Sequence, residues 1–245
     1  MVQNIFKGIK AYASALGLIS TLGLWKYFAV PVLISFITAS LIGLSAWSWS
    51  DNIANTIDLL WIWEWGADWF HGFAEILGGI LIIILGLIVY KHIVIALSAP
   101  FMSPVSTAIE HHFLGEKHIH RNTSNTSQLW RGIRVNVRNL AMEIFITIPL
   151  LILSLIPVLN IVTTVLIFLV QAYYAGFGNM DYTLERHYGY KESVGFVKRH
   201  KGVAIGNGII FTIMLFIPVI GVLMVLPLSV TAASSQTIRF IQDKK

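Results

Sequence analysis

Cysteine is missing from this 245-residue chain, which excludes a disulfide framework, a thiolate nucleophile and a thiolate-bound metal. Charge is scarce as well. Asp, Glu, Lys and Arg make up 12% of residues and apolar types 56%, whereas about a quarter of a soluble domain is charged. No polar stretch is long enough to fold by itself, so 1–245 is read as a single membrane domain. No Walker sequence, Ser/His/Asp set or zinc-protease motif occurs. The chain is therefore not expected to be an enzyme, to hold a cofactor or metal, or to be driven by ATP. The formal net charge of +5 lies beside apolar runs without a nucleic-acid motif, which points to topology signals and anionic headgroups. Lys7 and Lys10 precede a short run from Ala11 to Leu24 with no small-residue cleavage site before Lys26. A cleaved signal peptide is not expected, and 1–24 is read as an amphipathic segment.

Uncharged runs are what the sequence has in plenty. From Tyr27 to Trp47 no charge occurs, a length of about 31 Å as a helix and enough for one span, 27–47. Pro31 lies near its start, where a missing N–H costs least. A second span is read over 70–99, with Lys91 snorkelling near its end and Gly78, Gly79 and Gly86 allowing close helix approach. Between them, Asp51, Asp58, Glu64, Asp68 and Glu75 occur without a lysine or arginine. The positive-inside rule places the 48–69 segment outside, and both termini, 100–140, 179–202 and the 236–245 tail in the cytoplasm. Trp47, Trp49, Trp61, Trp63, Trp65 and Trp69 fit an external aromatic belt.

Two further apolar regions, 141–178 and 203–235, each begin and end beside cytoplasmic charge: Arg138 and Arg186, then Lys201 and Arg239. Two full crossings need about 40 residues plus a turn, more than either region offers. Each is broken near its middle, at Leu155-Ile156-Pro157-Val158-Leu159-Asn160 and at Phe216-Ile217-Pro218-Val219-Ile220-Gly221. Proline removes a donor and disfavours helix at the residue before it, while Asn160 and Gly221 suit turns. The reading is an all-α integral membrane protein with two long transmembrane helices and two proline-centred re-entrant, hemi-penetrating hairpins. Kinked helices or tightly turned pairs of full spans are the alternatives. Non-helical backbone at membrane depth survives only beside protein or a water-filled cavity, so re-entrant hairpins point to a permeation path.

An oxyanion needs amides at a helix start together with positive charge. Gly23, Leu24, Trp25 and Lys26 offer these if they open the first span; the alternative is a glycine turn with two interface anchors. Arg186, Lys198 and Arg199, with Lys191 and Lys201, form a possible anion vestibule or simply a positive-inside signal. Glu143 is expected to meet Arg138 or Arg134 near the interface. Asn160, Gln171 and Asn207 either line a path or satisfy hairpin turns. Glu110, His111, His112, Glu116, His118 and His120 are rich in metal-ligand types, but their spacing does not converge on a tetrahedral site. Asn122-Thr123-Ser124 and Asn125-Thr126-Ser127 match glycosylation sequons within a segment read as polar cytoplasmic linker.

Four stretches taken in order resemble the CysZ family of sulfate permeases, which includes the etoposide-induced membrane proteins. They are Gly23-Leu24-Trp25-Lys26-Tyr27-Phe28-Ala29-Val30-Pro31, Ala99-Pro100-Phe101 with Glu110 downstream, Asp181-Tyr182 after an apolar hairpin, and Ile217-Pro218 with Leu226-Pro227 and Val230-Thr231-Ala232-Ala233. The resemblance implies a channel-like permease of the bacterial inner membrane, admitting sulfate for cysteine synthesis and assembling as a homo-oligomer. It also implies an anion site at Gly23 to Lys26, where Trp25 and Lys26 stand at the family's arginine positions. Thr107 stands where the family often has glutamate. The eukaryotic branch suggests a rival role as a non-transporting membrane scaffold.

Overall fold

The structure, a computed structural model, describes residues 1–58, 72, 85–115, 124–154, 156–217 and 220–242. Trp61, Trp63, Trp65, Trp69, Gly78, Gly79, Glu116, His118, His120 and Pro218 lie outside the described residues. Every regular element among the described residues is helical. In chain order they are α1 (Val2–Thr21), a 3-10 turn (Leu24–Tyr27), α2 (Ala29–Asp58), α3 (Leu85–Leu97), α4 (Ala99–Leu114), α5 (Asn125–Ser154), α6 (Pro157–His187), α7 (Tyr190–Arg199), α8 (Lys201–Leu215) and α9 (Ile220–Gln242). The apolar stretches Leu24–Trp49, Asn125–Ser154 and Val158–His187 are each long enough to cross a bilayer. The protein is an all-α integral membrane protein.

α2 leaves Leu33, Phe36, Leu41 and Leu44 exposed, as an uncharged lipid-facing helix does, and it continues past Trp47 to Asp58. Gly86 of α3 lets that helix approach α2, because a Cβ there would come within 2.5 Å of the Ile42 side chain. α3 and α4 meet at a 68° bend at Ser98. Pro100 has no N–H to give, while the amides of Phe101 and Met102 both donate to the Ser98 carbonyl, at 3.0 and 2.9 Å.

The break expected at Pro157 is present. α5 ends at Ser154, Ile156 is extended (φ −83°, ψ 114°), and Pro157 opens α6, where its missing N–H is an orphan in any case. Asn160 Nδ2 donates to the Ser154 carbonyl at 2.9 Å, so of its two expected roles this side chain takes that of fastening the turn. The arms are longer than the apolar region 141–178. α5 and α6 have 30 and 31 residues, about 45 Å each, and they absorb polar residues that the sequence reading left as cytoplasmic segments. Asn125-Thr126-Ser127 is accordingly the first turn of α5, with Ser124 Oγ accepting the Ser127 amide at 3.2 Å as an N-cap. Apolar exposure concentrates around the turn, at Phe145, Ile152, Val158 and Ile161.

α8 and α9 form the second hairpin, and its surroundings differ. α8 is threaded between α1 and α6 by glycines. A Cβ on Gly208 would lie 1.7 Å from the Ala172 carbonyl oxygen, and one on Gly206 2.1 Å from that of Ile5. Reciprocally, a Cβ on Gly176 would lie 1.8 Å from the Ala204 oxygen. Such small-residue faces bring helix backbones together where lipid supplies no hydrophobic drive. α8 has 15 residues, about 22 Å and short of the roughly 30 Å hydrocarbon core. Most of α8 and α9 is buried inside the protein.

Candidate functional site

The stretch expected to meet an anion is a tight turn at the end of α1. Gly23 adopts the left-handed conformation (φ 62°, ψ 34°), which a side chain would strain. Leu24 is 2% exposed and packs into the core with Ile19 and Phe28, anchoring the turn. Trp25 is 46% exposed. Its indole N–H, the ring's one donor, is given to Ser20 Oγ at 3.3 Å, and the ring lies 4.9 Å from that of Phe28. Lys26 is exposed, with Nζ 5.2 Å from the centre of the Tyr27 ring. The turn therefore presents one flexible point charge rather than a guanidinium fork.

Leu22 and Tyr27, which bracket this turn, belong to the wall of an open cavity of ≈ 620 Å³. Across it stand Ser103, Thr107, His111 and His112 of α4, with Asn125 and Gln128 from the start of α5. Hydroxyl, imidazole and amide groups line it, and none of its described lining residues is acidic.

Behind Ser103 runs a buried polar network. Glu110, fully buried, accepts hydrogen bonds from Arg186 Nε at 3.0 Å and pairs with His187. Arg186 also donates to Ser106 Oγ at 2.7 Å and to the Tyr182 carbonyl at 2.8 Å. Ser103 Oγ donates to Glu185 at 2.7 Å. Next to this, Arg131 grips Asp181 with two bonds of 3.0 and 2.9 Å and reaches Ser193 at 2.7 Å. The bidentate geometry is the strong form of such a pair.

A second cluster lies along α5. Lys91 Nζ donates to Glu143 Oε1 at 2.6 Å and to the Gln171 carbonyl at 3.2 Å, and His92 Nε2 meets Glu143 Oε2 at 2.9 Å. All three side chains are at most 3% exposed. Lys91 is therefore a buried partner rather than a snorkelling residue, and Glu143 pairs with α3 rather than with Arg138 or Arg134. Those arginines lie instead over the Phe177 and Tyr190 rings, at 5.5 and 4.3 Å. Asn136, Asn139, Glu143 and Thr147 make a buried polar stripe on one face of α5. Among the described residues, Asn139 Nδ2 and Thr147 Oγ1 have no hydrogen-bond partner.

Residues 11–225 match the family model described as sulfate transporter CysZ/etoposide-induced protein 2.4. The chain belongs to this family. No curated protein matches it. In this CysZ-family chain the expected vestibule residues do not share one environment. Arg186 is 5% exposed and committed to Glu110, whereas Lys198 and Arg199 are exposed in the last turn of α7. Asn207 spans α6 and α9, accepting from Asn179 at 2.9 Å and donating to the Ser229 carbonyl at 3.0 Å. The Lys91, His92 and Glu143 cluster was missed by sequence reasoning. Its signal was two adjacent basic residues inside an apolar run, facing one acid in another such run.

Proposed function

We propose that the chain is a channel-like permease for a small oxyanion, sulfate first, in a bacterial inner membrane, where the anion feeds cysteine synthesis. The observation that carries this is the cavity directly behind the Gly23 to Lys26 turn, whose described wall holds Tyr27, His112 and Asn125 and no acidic residue. Gly23 and Leu24 set the turn, Trp25 flanks it, and Lys26 supplies the attracting charge. The Tyr27 hydroxyl and the imidazole and amide groups beyond then exchange for part of the anion's water shell. Lys198 and Arg199 serve as a cytoplasmic vestibule, on the side of both termini and of the Gly23 turn, which is then the cytoplasmic mouth of the path. Arg186 enters as the clamp on Glu110, which keeps that carboxylate from opposing an anion.

The two hairpins line the path in this proposal. α8 is too short to cross alone, and the body of the helix is wrapped by protein, as suits the arm of a re-entrant segment. The unpartnered donors of Asn139 and Thr147 add polar groups for water or anion along α5. A homo-oligomer follows from how few long helices one protomer has with which to enclose a pore.

Labelled sulfate uptake into proteoliposomes tests the reading. Sulfate is expected to enter faster than into empty vesicles and to be inhibited by sulfite. Lys26→Ala is expected to reduce uptake at low sulfate by about ten-fold, the equivalent of roughly 1.4 kcal/mol of lost charge-assisted binding. Absence of anion flux under any gradient leaves a scaffold as the role of this fold.

A further inference from the structure

Lys7, Lys10 and Arg239 take no part in the Gly23 turn, the cavity behind it or the hairpins. They meet in a separate groove of ≈ 380 Å³ between α1 and the end of α9, completed by Ser14, Gln236 and Gln242. None of its described lining residues is acidic. Lys7 Nζ lies 5.5 Å over the Phe240 ring, and the Arg239 guanidinium 5.5 Å over that of Phe113, so two of the three cations are seated by aromatic faces. The last turn of α9 contributes about half a negative charge through its free carbonyls. Three cations exceed that, and the groove has net positive charge to offer.

The faces of α1 indicate what fills it. Gly8, Ala11, Ala15 and Ile19 are buried against the bundle. Beside them, at the i, i+4, i+7, i+11 spacing of a single helix face, runs an exposed polar stripe of Gln3, Lys7, Lys10 and Ser14. Next to that, Val2, Phe6, Ala13 and Leu16, at i, i+4, i+11 and i+14, form an exposed stripe on one helix face, Val2 at 63% and Phe6 at 57%. An apolar exposed stripe flanked by a cationic one is the pattern of a helix lying in the headgroup layer, its apolar side in acyl chains and its cations at phosphate depth.

We infer that the groove between α1 and α9 binds the phosphate of an anionic phospholipid and thereby fixes α1, the helix that carries the Gly23 turn. Lys7, Lys10 and Arg239 hold the phosphate oxygens, and Gln236 and Gln242 donate to the headgroup. Free phosphate shares this chemistry, but the adjoining apolar stripe favours the lipid, whose acyl chains it would cover.

Native mass spectrometry of the full chain tests this, in micelles doped with phosphatidylglycerol, in micelles doped with phosphatidylcholine of the same chains, or with inorganic phosphate alone. Phosphatidylglycerol adducts are expected at least ten-fold above phosphatidylcholine adducts. Lys7→Gln/Lys10→Gln/Arg239→Gln is expected to abolish that excess, and Ser14→Glu, which puts a carboxylate into the groove while leaving every cation in place, to do the same. Lys198→Gln/Arg199→Gln is expected to leave it unchanged. Circular dichroism checks that each variant keeps its helix content. Equal retention of the two lipids, or an excess that survives both groove variants, overturns the inference. Phosphate binding that the groove variants remove, without any lipid preference, overturns the assignment to lipid.

Discussion

Gly208→Val is expected to leave almost no folded, monodisperse protein. Any Cβ at this position falls 1.7 Å from the Ala172 carbonyl oxygen and 2.4 Å from its carbon. The obstruction is backbone on another helix, which has no rotamer to yield. Overpacking a core usually costs about 1–3 kcal/mol when side chains can shift. Here α6 and α8 must part along their contact, and the cost exceeds that range. Gly17→Val is the matched control, since nothing lies within 4 Å of a Cβ there. Size-exclusion profiles and thermal midpoints in detergent are expected to be normal for Gly17→Val and lost for Gly208→Val. Similar behaviour of the two variants would mean that α8 is not held where the structure has it.

The second large effect is expected at Glu143. Removing one member of a buried ion pair strands the other, at a cost of about 3–5 kcal/mol, whereas replacing both by apolar groups is often neutral. Glu143→Leu leaves Lys91 buried at 2% exposure with the Gln171 carbonyl as its remaining acceptor. Its thermal midpoint is expected to drop by more than that of any surface substitution. Glu143→Leu combined with Lys91→Met is expected to recover most of the loss. A double variant no more stable than Glu143→Leu would show that the two side chains are not coupled.

The parts of this fold that were legible in the sequence are those decided locally. The uncharged run after Lys26 is long enough to cross a bilayer by length alone, and Pro157 ends one helix and begins another because its ring permits little else. What stayed hidden depends on partners far along the chain. Residues 125–140 and 179–187 carry arginines, asparagines and acids that read as solvated linker. Both are helical, and 179–186 is buried; Arg131 finds Asp181, and Arg186 finds Glu110, 76 positions away. Lys91 was misread for the same reason: snorkelling is right for a lone lysine near an interface, and the acid that keeps this one inside is 52 positions away. The Gly23 turn was legible as a glycine before a span. The cavity behind it, with walls from α4 and α5, was not, since no local pattern brings Thr107 and Gln128 to Tyr27.

The proposed conduit requires both hairpins to turn inside the bilayer, although α5 and α6 are each long enough to cross it. Val158 and Phe216, at 86% and 65% exposure, sit at the two turns, and the absence of native cysteine lets each be replaced by a single spin-labelled cysteine in liposomes. Collision with oxygen should exceed collision with a water-soluble nickel chelate at both positions, placing both labels within the hydrocarbon. Labels open to the nickel chelate from the outer solution would mean that the arms cross completely, and a conduit built from re-entrant hairpins would be contradicted.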